Sequence, residues 1–356
     1  MAVSFVDCRA NHLPSLRAFF ARMYRPDYVL LINKDLFHWQ FGEAPAGKED
    51  EYQIKLALLN GEVVGCLGYI PIEVSLGGRV VRGAWLANWM VDLKQRRLGL
   101  GPLLMREVTR QFDVTLNVGP NQDARDLLSR MGWMDFGELA RYVCVLNVQA
   151  AGALTETGKL EWPAGALPRE WEPPQATAVR LVVCFSDDAT PLWDTVWGTQ
   201  AAGARRSAEF LNWRYASHPV FNYRLFEARH RGRLSGLAIY RVEQVRDLPA
   251  RVGRIVELIS EADVERELLR AVLSDAQSQG VAALDFFCSS QRLYEVLTQH
   301  GFLSSEITSQ IPVLFQPIDR RRTGISFMAY SGNATDVVRV LDWYVTKADA
   351  DQDRPN

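Results

Sequence analysis

From residue 52 to residue 70, apolar and polar positions alternate with period two around Asn60-Gly61. That dipeptide accepts the positive φ of a type I′ turn, so the stretch predicts a β-hairpin. A strand over 4–7 and helices over 14–23 and 34–41 precede it. After a turn at Gly77-Gly78 the pattern predicts a long strand over 80–91, a helix over 102–111, a strand over 114–118, a helix over 121–131 and a closing strand over 136–147. Residues 148–177 lose periodicity and gather Pro163, Pro168, Pro173 and Pro174, as a linker does.

The same order then returns. Strands are predicted over 180–185, 223–229, 234–242 and 252–259, a helix over 263–279, a strand over 282–287, a helix over 291–300, a strand pair ending at 330 and a helix over 333–343. Local strings repeat with it: Phe37-His38-Trp39-Gln40-Phe41 answers Leu211-Asn212-Trp213-Arg214-Tyr215, and Met131-Gly132-Trp133 answers His300-Gly301-Phe302. Trp39 to Gly132 is 93 residues and Trp213 to Gly301 is 88, spacings that indicate an internal duplication. The two tryptophan strings read equally well as core aromatics on equivalent helices.

Length agrees, since 356 residues exceed twice the roughly 150 expected of one domain. The division expected is 1–147, a linker over 148–177, a second domain over 178–346 and a mobile acidic tail over 347–356. A net charge of 40 − 42 = −2 supplies no field for a nucleic-acid backbone or an anionic membrane. The five cysteines form no C-x-x-C pair, which excludes a zinc knuckle and a disulfide framework and fits a reducing cytoplasm. No signal segment or membrane-length apolar run is present, so a cytoplasmic protein without membrane insertion is expected, with no metal.

One motif carries chemistry. Arg96-Arg97-Leu98-Gly99-Leu100-Gly101-Pro102 follows the longest strand and opens a helix. Its glycines let backbone N–H groups approach an anion, and the helix N-terminus adds favourable potential for phosphate. A dinucleotide-binding fingerprint is excluded, because arginine stands where its first glycine would be and no G-x-G-x-x-G exists.

In this strand–loop–helix context the chain resembles the GCN5-related N-acetyltransferase (GNAT) superfamily, and Asn121-x-x-Ala124-x-x-Leu127 followed by Gly132-Trp133 resembles that family's next helix. The resemblance implies an α/β (α+β) fold of two tandem GNAT-like domains, each a mixed, mostly antiparallel twisted sheet flanked by helices. It implies acetyl-CoA or another acyl-CoA as co-substrate. Val91, Asp92 and Leu93 would pair with the pantetheine amides, Arg96, Arg97, Leu98, Gly99, Leu100, Gly101 and Pro102 would hold the pyrophosphate, and Asn117 and Asn121 would flank the pantetheine. Asn121 reads equally as a helix N-cap. In the second copy Ser260-Glu261-Ala262-Asp263-Val264-Glu265 puts three carboxylates and no glycine where phosphates would sit, so that copy is expected to be degenerate.

Transfer to an amine needs a base, an oxyanion donor and an acid for the thiolate. The resemblance places the acid at Leu128, which cannot serve, leaving Tyr142, another tyrosine or water. Candidates on the acceptor side are Glu73, Asn88, Asp92 and His38. The expected function is an N-acyltransferase, acetyl by default, acting on a small-molecule amine such as an amino sugar or sugar nucleotide in cell-envelope polysaccharide synthesis, with homo-oligomerisation open. The alternatives are a non-catalytic CoA-binding or scaffold protein and a tandem-GNAT aminoacyl transferase. Arg320-Arg321-Arg322 reads as a solvated hairpin tip, or as a clamp for a sugar nucleotide's phosphates.

Overall fold

A computed structural model of the chain describes residues 3–163, 177–262, 264–304, 306–316, 318–319, 324–332 and 342–355. The arginine run at Arg320-Arg321-Arg322 and most of the helix expected over 333–343 lie outside the described residues.

The first half opens with β1 (Val3–Cys8), α1 (Leu13–Met23), α2 (Val29–Ile32) and α3 (Lys34–Gly42). It continues through β2 (Tyr52–Leu59), β3 (Glu62–Leu76), β4 (Arg79–Val91), α4 (Leu100–Thr109), β5 (Val114–Val118), α5 (Gln122–Arg130), β6 (Met134–Glu138) and β7 (Ala140–Val145). The β2–β3 turn is the expected one, with Asn60 at φ 53° and Gly61 at φ 86°. β3 is buried along nearly its whole length because both faces are covered. Helix α4 packs on one face through Leu100, Leu104, Met105 and Val108. The other face meets α1 and α3, whose Leu16, Phe19, Phe20, Leu36 and Phe41 share one core with the second half.

The second half contains α6 (Val148–Gly152), β8 (Thr177–Val182), α7 (Ala189–Trp193), the two-residue β9 (Gly203–Ala204) and α8 (Ala208–Leu211). Then follow β10 (Tyr223–His230), β11 (Arg233–Gln244), β12 (Arg251–Ser260), α9 (Glu265–Ser278), β13 (Val281–Cys288) and α10 (Tyr294–Gln299). A short ribbon, β14 (Leu314–Phe315) with β15 (Ile318–Asp319), leads to β16 (Ser326–Ser331). The fold class is the expected one, two mostly antiparallel sheets flanked by helices. Their orders are β1-β2-β3-β4-β5-β16-β6 and β7-β13-β12-β11-β10-β8.

Those orders correct the expectation of one closing strand over 136–147. The chain breaks between β6 and β7, where Gly137 adopts φ 81° and the Leu139 N–H bonds the Ile325 carbonyl at 2.9 Å. β6 stays in the first sheet, while β7 crosses and pairs antiparallel with β13. In exchange, β16 from the end of the second half inserts between β5 and β6. A cut anywhere between 147 and 178 would therefore leave each sheet holding a strand from the other side of the cut.

The duplicated tryptophans meet at the join. The Trp39 ring stacks on Trp213 with centroids 4.8 Å apart, and Trp39 Nε1 donates to the Trp213 carbonyl at 3.1 Å. Both are buried, so the repeated strings are core aromatics. Over its described residues, 347–355, the tail is acidic but packed rather than mobile. Asp349 and Asp353 are fully buried, held by Arg206 and by Arg241 at 2.8 Å each. Part of the expected linker is also packed, since Ala151, Leu154 and Leu160 join a cluster with Val143, Ala282 and Ile311.

Candidate active site

β4 and β5 run parallel and pair only over Gly83–Val114, Ala84–Thr115 and Trp85–Leu116. Beyond Trp85 the strands part, and among the described residues no strand pairs with 86–91 on that side. A β-bulge drives the parting. Cys66 faces Met90 and Gly68 faces Ala87, so two steps on β3 oppose three on β4. Asn88 takes up the extra length at φ 53°, a conformation asparagine tolerates better than most residues.

The cleft edge is backbone. The Asp92 N–H bonds the Val64 carbonyl at 2.8 Å, so strand alternation turns the N–H and C=O of Val91 the other way, into the cleft. The chain then makes a 3₁₀ turn over Leu93–Leu98, capped by the Asp92 carboxylate accepting from Lys94 N at 2.9 Å. Gly99, at φ 65° and with open space around its Cα, is the N-cap of α4. The N–H groups of Leu100 and Gly101 lie in the first helical turn, where no intrahelical acceptor exists, and Pro102 has none to leave unpaired. Arg96 and Arg97 are exposed and unpaired among the described residues. This is a surface of backbone donors beside two exposed cations, the chemistry a pyrophosphate requires.

Two buried polar atoms at the bulge have no partner among the described residues: the acceptor Asn88 Oδ1 and the donor Trp89 Nε1. Trp89 also lies under the loop, its ring 3.3 Å from where a Cβ on Gly101 would stand. An amide-bearing ligand in this cleft has a donor and an acceptor to offer them. An unpaired buried group is costly unless a ligand or solvent completes it.

The candidates named from sequence divide. Val91, Asp92, Leu93, Arg96, Arg97, Leu98, Gly99, Leu100, Gly101 and Pro102 form one continuous rim, with Asn88 at the cleft's inner end. Asn117 lies on β5 opposite the gap and pairs with Met328 of β16. Asn121 is an N-cap, its side chain accepting from Ala124 N at 2.9 Å. Asn121→Ala is therefore expected to cost about 1 kcal/mol of stability in urea denaturation.

Others are not brought to the cleft. Glu73 faces Arg82, six residues from Asn88 and so roughly 20 Å away along the strand. It is held by Arg205 at 2.9 Å, which also grips Asp194 at 2.6 Å. Tyr142 belongs to the second sheet opposite Phe286, where burial pushes its hydroxyl up to about 12. His38 is exposed and 3.3 Å from Glu43, and the Asp92 carboxylate, although its backbone is on the rim, is tied to Arg22 at 3.3 Å. Leu128 is wholly buried core.

Sequence reasoning missed what stands on the far side of the bulge. The Tyr28 hydroxyl accepts from Asn88 Nδ2 at 2.5 Å and from Arg354 Nη1 at 3.2 Å. Gln352 Nε2 donates to the Val118 carbonyl at 2.9 Å, and its side chain lies against Gly119 at the end of β5. The last residues of the chain thus wall the first cleft, and nothing periodic in positions 24–28 or 350–354 signals it.

The second half repeats the geometry and closes it. β12 pairs with β13 only over 251–255, and a bulge sets Ile239 against Glu257 and Tyr240 against Ile255. Here the gap is filled by the chain itself. The Tyr344 hydroxyl accepts from Leu258 N at 3.0 Å and donates to Glu257 Oε2 at 2.9 Å, while Val345 exchanges hydrogen bonds with Ser289 at 2.9 Å. Charge alone predicted a poor phosphate site, and the structure adds a steric plug.

A family model described as an acetyltransferase (GNAT) domain matches residues 27–115. A GCN5-related N-acetyltransferase from Anabaena variabilis aligns with a TM-score of 0.58 at 11% identity, over 95% of this chain and 75% of its own. One from Kribbella flavida aligns with a TM-score of 0.58 at 16% identity, over 95% and 73%. The N-myristoyltransferase of Saccharomyces cerevisiae, solved with bound myristoyl-CoA, aligns with a TM-score of 0.55 at 11% identity, over 92% and 82%. At such identities the likeness is one of fold. No curated protein matches the sequence.

Proposed function

On the premise that residues 27–115 form a GNAT domain and the chain carries that fold twice, we propose that it is an acyl-CoA-dependent N-acyltransferase working from the β4–β5 cleft. The observation that carries this reading is the open cleft ending in a glycine-rich helix start, with an unpaired donor and acceptor buried at its bulge. Acyl-CoA supplies an activated thioester. The chain's part is to hold the pyrophosphate at Arg96–Pro102, to pair the pantetheine with Val91, and to offer Asn88 Oδ1 to a donor of the incoming substrate.

Acetyl is the acyl group we favour, with a small-molecule amine, such as an amino sugar or sugar nucleotide of cell-envelope polysaccharide synthesis, as acceptor and the cytoplasm as location. The near-neutral charge argues against aminoacyl-tRNA as donor. A non-catalytic CoA-binding scaffold is the second reading, favoured by Leu128 at the expected acid position and by the self-filled second cleft.

Calorimetric titration of acetyl-CoA and desulfo-CoA, with myristoyl-CoA for chain length, tests the reading together with thiol release from a panel of amines. One micromolar site per chain with amine-dependent release is expected. Binding without release leaves the scaffold, and no binding removes both readings.

A further inference from the structure

We propose that Tyr28 is the acid that protonates the departing thiolate and that Tyr24 connects it to solvent, an inference that rests on the acyl-CoA reading of the β4–β5 cleft. Tyr28 sits in the segment before α2, only 5% exposed, with its hydroxyl at the bulge residue. A pantetheine arm led along the open edge of β4 from the pyrophosphate loop reaches Asn88 three residues back from Val91, roughly 10 Å at the rise of a strand. The reacting end of the thioester then lies beside the phenol.

The hydrogen bonding around Tyr28 is that of an acid whose conjugate base is provided for. Asn88 Nδ2 and Arg354 Nη1 both donate to the phenol oxygen and occupy its two lone pairs, so its own proton points away from both. When the proton leaves, a neutral N–H and a guanidinium already face the phenolate, with no reorganisation needed. Asp351 holds Arg354 in place at 2.5 Å. Burial keeps the phenol protonated across the physiological range, even against the opposing pull of Arg354.

Tyr24 completes the path. Its ring stacks on Tyr28 with centroids 4.2 Å apart and planes 13° apart, and it is 45% exposed. The other groups facing the pair are Asp351, Arg354, Asn88 and the thiol of Cys66. The step balances. The amine lone pair forms the C–N bond, the C–S pair leaves on sulfur, and sulfur takes the Tyr28 proton to give the thiol. The phenolate regains a proton from solvent beside the exposed Tyr24 ring, and solvent receives the one lost by the acylated nitrogen.

The test compares wild type with Tyr28→Phe, Arg354→Met and a chain carrying 2,3,5-trifluorotyrosine at position 28, using acetyl-CoA and the amine that gives the greatest thiol release. Tyr28→Phe should lower kcat about 100-fold, with the acetyl-CoA dissociation constant and KM within twofold. Arg354→Met should lower kcat about tenfold in the same pattern. The fluorinated phenol, several units more acidic, should bring a descending alkaline limb of kcat into the measurable range, which a packing role would not do. An unchanged kcat in Tyr28→Phe, or a fluorinated enzyme with the wild-type pH profile, overturns the assignment while leaving the acyl-CoA reading intact. Wild type that binds no acetyl-CoA, or binds it and acylates no amine, overturns both.

Discussion

Gly101→Glu is expected to weaken acetyl-CoA binding by at least 100-fold while leaving the far-UV spectrum and urea midpoint close to wild type. Three effects act in the same direction. The new Cβ stands 3.3 Å from the Trp89 ring, so Trp89 must move by a few tenths of an ångström, disturbing the indole N–H that awaits a partner. The carboxylate then occupies the space into which the first-turn N–H groups of α4 point. Finally, its charge competes with the phosphates for the helix terminus and for Arg96 and Arg97, and it stabilises the free helix by the same dipole that served the ligand. Gly99→Ala is the control for strain. Nothing lies within 4 Å of its Cβ, so its only cost is the positive φ, roughly 1–2 kcal/mol of stability with little loss of affinity. Equal affinity losses in the two variants would mean that the loop's shape matters and its anion surface does not.

The loop and the hairpin were legible because their chemistry is local. Asn60-Gly61 needs no distant partner to make its turn, and Gly99-Leu100-Gly101-Pro102 declares a helix start by itself. The exchange of β7 and β16 was not legible. A strand's alternation says which face is buried, but not which neighbour its backbone will meet. The tail failed for a related reason. Asp349, Asp351 and Asp353 read as solvated because their cations come from Arg206, Arg241 and Arg354, two of them more than a hundred residues earlier. A signal existed in Arg254 and Glu257, set inside the otherwise apolar run of β12. Charges on a strand buried on both faces require buried partners, and nothing near them in sequence supplied any.

The same exchange ties the two clefts together. The segment that closes the second cleft with Tyr344 continues, within ten residues, into Gln352 and Arg354 at the wall of the first. Degeneration of the second copy therefore has a structural use. Its filled gap anchors the strap that reaches the proposed site in the first half.

Asp353→Ala should release that strap and cost about 3–5 kcal/mol in urea denaturation, because it strands buried cations without replacing their partner. The Asp353 carboxylate accepts from Arg241 Nη2 and Tyr223 Oη at 2.8 Å each and stands 3.7 Å from Arg254. Burial alone would raise its pKa, but Arg241, Arg254 and Arg214 overcome that and hold it far below the usual carboxylate range. Asp285 behaves alike, burial being outweighed by Arg254 and Arg141, and rests at about 2. Both folded pKa values lie below the unfolded value near 4, so their stabilisation is present above about pH 4 and is lost as pH falls through the folded values. Glu257, raised by burial despite Arg206, acts in the opposite sense and blunts the loss. Wild type should therefore lose stability below about pH 4, and Asp353→Ala should lose less over that interval, since one of the two carboxylates is gone. Asp353→Asn keeps the shape without the titrating group, so it should show the same reduced acid loss as the alanine variant at a smaller cost at neutral pH. At neutral pH the alanine variant should also lose acyl transfer beyond its unfolded fraction, as Gln352 and Arg354 leave Val118 and Tyr28. If it keeps full transfer per folded molecule, the tail is an anchor for the second half alone.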